Sequence, residues 1–118
     1  MFASISNRTS RILRAALSGL LLSWAGLGLT ASREEILPIL QMVDYIGVDY
    51  PECVRDGRVL NEAEYAEQRE FSADVARRVA ALPESVGKAG LADQARALQA
   101  AVTDKAQGQR IQDLTAQM

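Results

Sequence analysis

Val43-Asp44-Tyr45-Ile46-Gly47-Val48-Asp49-Tyr50-Pro51, followed by Asn61-Glu62-Ala63-Glu64-Tyr65-Ala66-Glu67, is the pair of segments on which the fold turns. Together they hold all three tyrosines, and the only cysteine, Cys53, comes just after the first. The first segment closes one helical pattern and the second opens another. Asn61 is a favoured N-cap, and Glu64 at N3 can reach back to complete a capping box. Leu60 and Tyr65 stand where a hydrophobic staple needs them. Phe71, Val75, Val79 and Leu82 continue one face, and Leu82-Pro83 ends it, which predicts a helix over about 62–82.

Upstream, Ser32-Arg33-Glu34-Glu35 fits a second capping box, and Ile36, Ile39, Leu40, Val43 and Ile46 form an apolar stripe. Pro38 would remove the hydrogen bond to the Glu34 carbonyl. The expectation is therefore a helix over about 33–48 with a disturbed first turn. Residues 48–60 read as a loop: Tyr50 precedes Pro51 and is biased to extended geometry, and Asp56-Gly57 signals a turn. Cys53 falls in that loop as a small residue without a chemical partner.

Downstream, Leu91, Ala95, Leu98 and Val102 give a thin stripe for a third helix from Gly87 or Lys88 to Thr103. Gly108 interrupts, and Ile111, Leu114 and Met118 begin another stripe that the chain end cuts off. Alanine and leucine dominate the apolar content while aromatics make up 5%, which favours helix over sheet. The fold class is all-α: an antiparallel up-and-down bundle of three helices plus the start of a fourth. It occupies residues 32–118 and reads as truncated at its C-terminal end.

Residues 1–31 read as a separate apolar leader helix, either a signal peptide or an N-terminal membrane anchor. Arg8, Arg11 and Arg14 precede seventeen uncharged residues, 15–31, that end in small side chains. That run lies at the lower limit for crossing a bilayer. In either form the arginines stay inside and the remainder is exported, so the location is periplasmic or membrane-anchored facing the periplasm.

Charge and residue types exclude several functions. From Arg33 onward ten Lys/Arg stand against fifteen Asp/Glu, a net charge of −5. Such a surface argues against nucleic acid, whose binding rests on cations that neutralise phosphates. There is no histidine, so no His-zinc site, no Ser-His-Asp triad and no CxxCH haem attachment. No nucleophile–base pair is present, and the chain is not read as an enzyme.

What remains is carboxylate chemistry. An antiparallel pair of the first two helices could bring Asp44, Asp49, Glu64 and Glu67 together where the loop joins them. Clustered carboxylates suit hard cations. Glu64 also has a purely structural reading as the capping-box acid, where the helix dipole favours it. Tyr45 points off the apolar stripe, either under the loop or towards a partner. Tyr50 and Tyr65 are read as clamping the loop onto the bundle.

The combination Asp44-Tyr45-Ile46-Gly47-Val48-Asp49-Tyr50-Pro51, Val54, Asp56-Gly57-Arg58-Val59, Asn61-Glu62-Ala63-Glu64-Tyr65-Ala66-Glu67 and Glu70-Phe71 resembles a known family. It is similar to the N-terminal extracytoplasmic domain of bacterial high-affinity iron permeases, some of which carry a cytochrome c module after it. The resemblance implies a contribution to iron transport, with iron bound weakly by carboxylates as the only cofactor in view. It implies as partners a membrane permease portion or a cytochrome c module absent from this chain, and hence membrane association. The family's Arg-Glu-x-x-Glu iron-path motif does not occur: Arg33-Glu34-Glu35-Ile36-Leu37 and Arg69-Glu70-Phe71-Ser72-Ala73 both lack the last Glu. The chain is therefore not expected to transport by itself. The alternative is a non-enzymatic periplasmic interaction module that docks a cytochrome or a membrane partner through its tyrosines.

Overall fold

The computed structural model describes residues 31–118, and the leader reading lies outside them. The elements are α1 (Arg33–Cys53), β1 (Val54–Arg55), β2 (Arg58–Val59), α2 (Glu62–Ala81), α3 (Lys88–Thr103) and α4 (Gly108–Ala116). Each helix packs on the next, and α4 returns to α1, so the four close into a ring around one core.

The buried positions explain the ring. On α1 they are Ile39, Val43, Ile46, Tyr50 and Cys53. On α2 they are Tyr65, Gln68, Ser72, Val75 and Val79, with Leu82 at the C-cap. On α3 they are Ala95, Leu98 and Val102, and on α4 Ile111 and Leu114. Steps of three and four alternate along each series. A mean of 3.5 residues keeps the buried seam facing its neighbours along the whole helix, the packing of left-handed bundles. Leu40, assigned to the α1 stripe from sequence, falls off this seam and is exposed.

The start of α1 is regular rather than disturbed. Ser32 Oγ accepts from the Glu35 amide at 3.3 Å, and Glu35 Oε1 accepts from the Ser32 amide at 3.2 Å. This closed capping box satisfies two of the amides that a helix start leaves without partners. Pro38 costs one bond, the one to the Glu34 carbonyl, and Glu34 is exposed so that water can replace it.

The expected loop over 48–60 is the main correction. Helix α1 continues through Pro51 to Cys53, and the Val54 amide then bonds the Tyr50 carbonyl. Burial explains the continuation: Tyr50 and Cys53 extend the α1 seam and are almost wholly out of solvent. The tertiary gain overrides the local bias against a helical residue before proline. Cys53 is thus a core residue at a helix end. The remainder is a hairpin in which Val54 pairs with Val59 and Arg55 with Arg58. Asp56 and Gly57 form its turn at φ 52° and 73°. Two consecutive positive φ values define a type I′ turn, for which Asp-Gly is a preferred pair.

Two glycines let α4 close against α1. A Cβ on Gly47 would lie 2.8 Å from Thr115 Oγ1, and one on Gly108 would lie 3.0 Å from Pro51 Cβ. The fourth stripe read from sequence is a helix of nine residues, capped at Gln117.

Candidate functional site

The four acidic residues singled out from sequence occupy three settings. Asp44 is exposed on α1 beside a groove formed with Gly47, Val48, Thr115 of α4 and Met118 just beyond it. Asp49 is five residues further along α1, about 140° round the helix from Asp44, and is half-buried. Glu64 and Glu67 are both exposed near the start of α2. Among the described residues, no group of three or more acidic, cysteine or histidine side chains converges on one point.

Asp49 and Glu64 do share a neighbour. The Cys53 thiol is held above its ordinary range, first by burial, then by the charge of Glu64, with Asp49 adding to it. Helix α1 therefore delivers Asp49, and α2 delivers Glu64, to the same end of the bundle. A buried thiol kept protonated is a poor nucleophile and a poor metal ligand. Cys53 fills space there.

The capping role expected of Glu64 is only half present. Asn61 Oδ1 accepts from the Glu64 amide at 3.1 Å. The Asn61 amide does not donate back to the Glu64 carboxylate, in contrast to the closed box at Ser32. The Glu64 side chain is left facing solvent.

The tyrosines act elsewhere than expected. Tyr50 and Tyr65 are buried and reach across the bundle to the α3–α4 joint, not to the hairpin. Tyr50 donates to the Ala106 carbonyl at 2.6 Å, and Tyr65 donates to those of Val102 at 2.9 Å and Thr103 at 3.2 Å. Burial pushes the Tyr50 hydroxyl up to about 12, with the negative charges of ionised Tyr65 and Cys53 as lesser causes. Burial is also the first cause that raises Tyr65. Tyr45 alone is exposed, and its ring stacks on Phe71 of α2 with centroids 6.2 Å apart.

Other charges on α2 have local explanations. Asp74 is held below the ordinary carboxylate range, first by the hydrogen bond from Arg78 and also by that from Arg77. One residue that sequence reasoning missed is Gln68, fully buried with neither amide atom hydrogen-bonded among the described residues. An apolar-stripe reading passes over a polar residue. Counting three and four from Tyr65 reaches Gln68 and Ser72 and would have found both.

Among the described residues no helix is long and apolar enough to cross a membrane. No curated protein and no solved structure is significantly similar to the chain. A family model does match, over residues 30–118: the iron permease-associated 4-helix bundle domain. Its span coincides with the described bundle, and its description agrees with the ring of four helices. The chain belongs to the iron permease-associated four-helix bundle domain family.

Proposed function

We propose that this bundle is the extracytoplasmic domain of an iron permease protein and contributes to iron transport by presenting or gating iron for a membrane portion. The observation that carries this reading is the family match over residues 30–118. The family is a permease-associated domain and not an enzyme family. The acidic balance of the bundle is compatible with a cation as cargo. Asp49 and Glu64, whose charges both reach Cys53, are the pair favoured for a transient oxygen-ligand contact, with Asp44 and Glu67 as further candidates. Two carboxylates without a third give weak, exchangeable binding, which suits handing an ion on. The partner is a permease bundle or a cytochrome c module at the periplasmic face of a membrane.

Titration of the chain with ferrous and ferric iron tests this. Weak binding is expected, reduced by Asp49→Ala and Glu64→Ala more than by Asp44→Ala or Glu67→Ala. Binding no greater than to a non-acidic control protein, and untouched by all four substitutions, would sink direct chelation.

A docking role is favoured by a different observation, the stacking of exposed Tyr45 on half-buried Phe71. Aromatic surface of this kind is enriched at interfaces. In this reading, capture of a permease membrane bundle survives loss of the carboxylates and fails with Tyr45→Ala. Capture unaffected by Tyr45→Ala rejects it.

A further inference from the structure

The joint between α3 and α4 is an unusual place for a lysine. The Ala106 amide bonds the Ala101 carbonyl at 3.0 Å, and the Lys105 amide bonds that of Val102 at 3.2 Å. Lys105 lies between them at φ 54°. This pair of bonds defines a Schellman motif, whose left-handed position is ordinarily glycine or asparagine. Lysine carries a backbone strain there that glycine would not. A cation near a helix C-terminus is favoured by the dipole, but that gain is open to a lysine on any position of the last turn and does not call for the strained one.

The side chains around the joint suggest what the strain accompanies. Lys105 and Arg69 line one groove of about 370 Å3, together with Thr103, Tyr65, Val59 and Glu62. Neither cation has an acidic side chain within ion-pairing distance among the described residues, as is also true of Arg33, Arg55, Arg58 and Arg110, so both head groups are available to a ligand. The Arg69 guanidinium sits 6.0 Å from the centre of the Tyr65 ring, which restrains it over the groove. The Tyr65 hydroxyl occupies the Val102 and Thr103 carbonyls. Those oxygens would otherwise present a negative helix end to the groove.

We propose that this groove binds a carboxylate group, held by the planar donors of Arg69 and the ammonium of Lys105. Its volume lies within the range of small-ligand sites, about 300–1,000 Å3. Glu62 also lines the groove and the charge of Asp104 reaches Tyr65, so the site offers little excess positive charge and suits a singly charged carboxylate better than a multiply charged anion. A phosphate would bring close to two negative charges into a domain that is already acidic.

The test uses the full chain in low salt, followed by NMR at the Arg69 Nε–H and the Lys105 amide. Succinate serves as a free carboxylate and a glutamate-rich peptide as a protein-borne one. Saturable shifts at both positions are expected with at least one probe, and which probe acts separates the two sources. Lys105→Gly and Arg69→Gln should each weaken binding about tenfold, as loss of one charged contact implies. Lys105→Gly should also melt no lower than the parent, since glycine suits the turn. Silence with both probes, shifts that persist undiminished in both variants, or tighter binding of inorganic phosphate than of either probe would overturn the proposal.

Discussion

The Tyr50 hydroxyl donates to the Ala106 carbonyl at 2.6 Å and so ties the last turn of the first helix to the entry of the last, 56 residues away in sequence. Phenylalanine at position 50 would keep the packing and remove the only donor to that carbonyl among the described residues. The bond is part-buried, so its loss should cost about 1 kcal/mol, the low end of the range for an unsatisfied acceptor. Tyr65→Phe should cost less, because the Val102 carbonyl still accepts from the Lys105 amide. Denaturant titrations of the two variants should show Tyr50→Phe as the more damaging.

The same hydroxyl gives the bundle an alkaline limit. Its folded value of about 12 lies above the ordinary 10.0. Folding therefore favours the protonated form. That contribution is complete below pH 10 and is lost as pH rises towards 12. Helical signal and tyrosinate absorbance should change together in this window. In Tyr50→Phe the loss of stability across the window should be smaller.

Glycine at position 47 is set by its neighbour and not by its own backbone. Alanine would gain about 1 kcal/mol of helix propensity, but its methyl group would meet Thr115 Oγ1 at 2.8 Å. Overpacking of this kind costs about 1–3 kcal/mol, so Gly47→Ala should be net destabilising. Thr115→Ala removes the obstructing oxygen. The double variant should be more stable than Gly47→Ala alone, and a double-mutant cycle measures the coupling.

Gln68 occupies an inward position on α2 with both amide atoms unpaired among the described residues. Gln68→Leu keeps a similar volume and removes the burial penalty, so the midpoint of chemical unfolding should rise, by about 1–3 kcal/mol of stability. A polar side chain in a helical seam can also specify register. If it does so here, the stabilised variant should show broader NMR lines than the parent.

The helices were legible where the chain carries both a cap and a period. Ser32 and Asn61 marked two starts, and both are N-caps in the structure. Leu82-Pro83 marked one end, and Thr103 was correctly the last residue of α3. The reading stopped α1 too early at Val48 because Tyr50-Pro51 is a local signal for an extended chain. What holds that turn in the helix is non-local: the burial of Tyr50 and Cys53 and the contact of Pro51 with Gly108. The carboxylates were legible as candidates, and their separation was not, since it depends on which flank of α1 each one takes. Lys105 could not be found from sequence at all, because Asp104-Lys105-Ala106 lacks the glycine that announces a left-handed helix end.

Helix α4 holds nine residues, fewer than an isolated helix needs to persist in water. It exists because Gly47 and Gly108 admit it against α1 and because Tyr50 grips the residue two before it. Its order is borrowed from α1 and α3, so it should form only once those two are in place. In folding it is the last turn of the lock. In the native protein it is the part that can open without dissolving the rest, and amide exchange should be fastest there among the four helices.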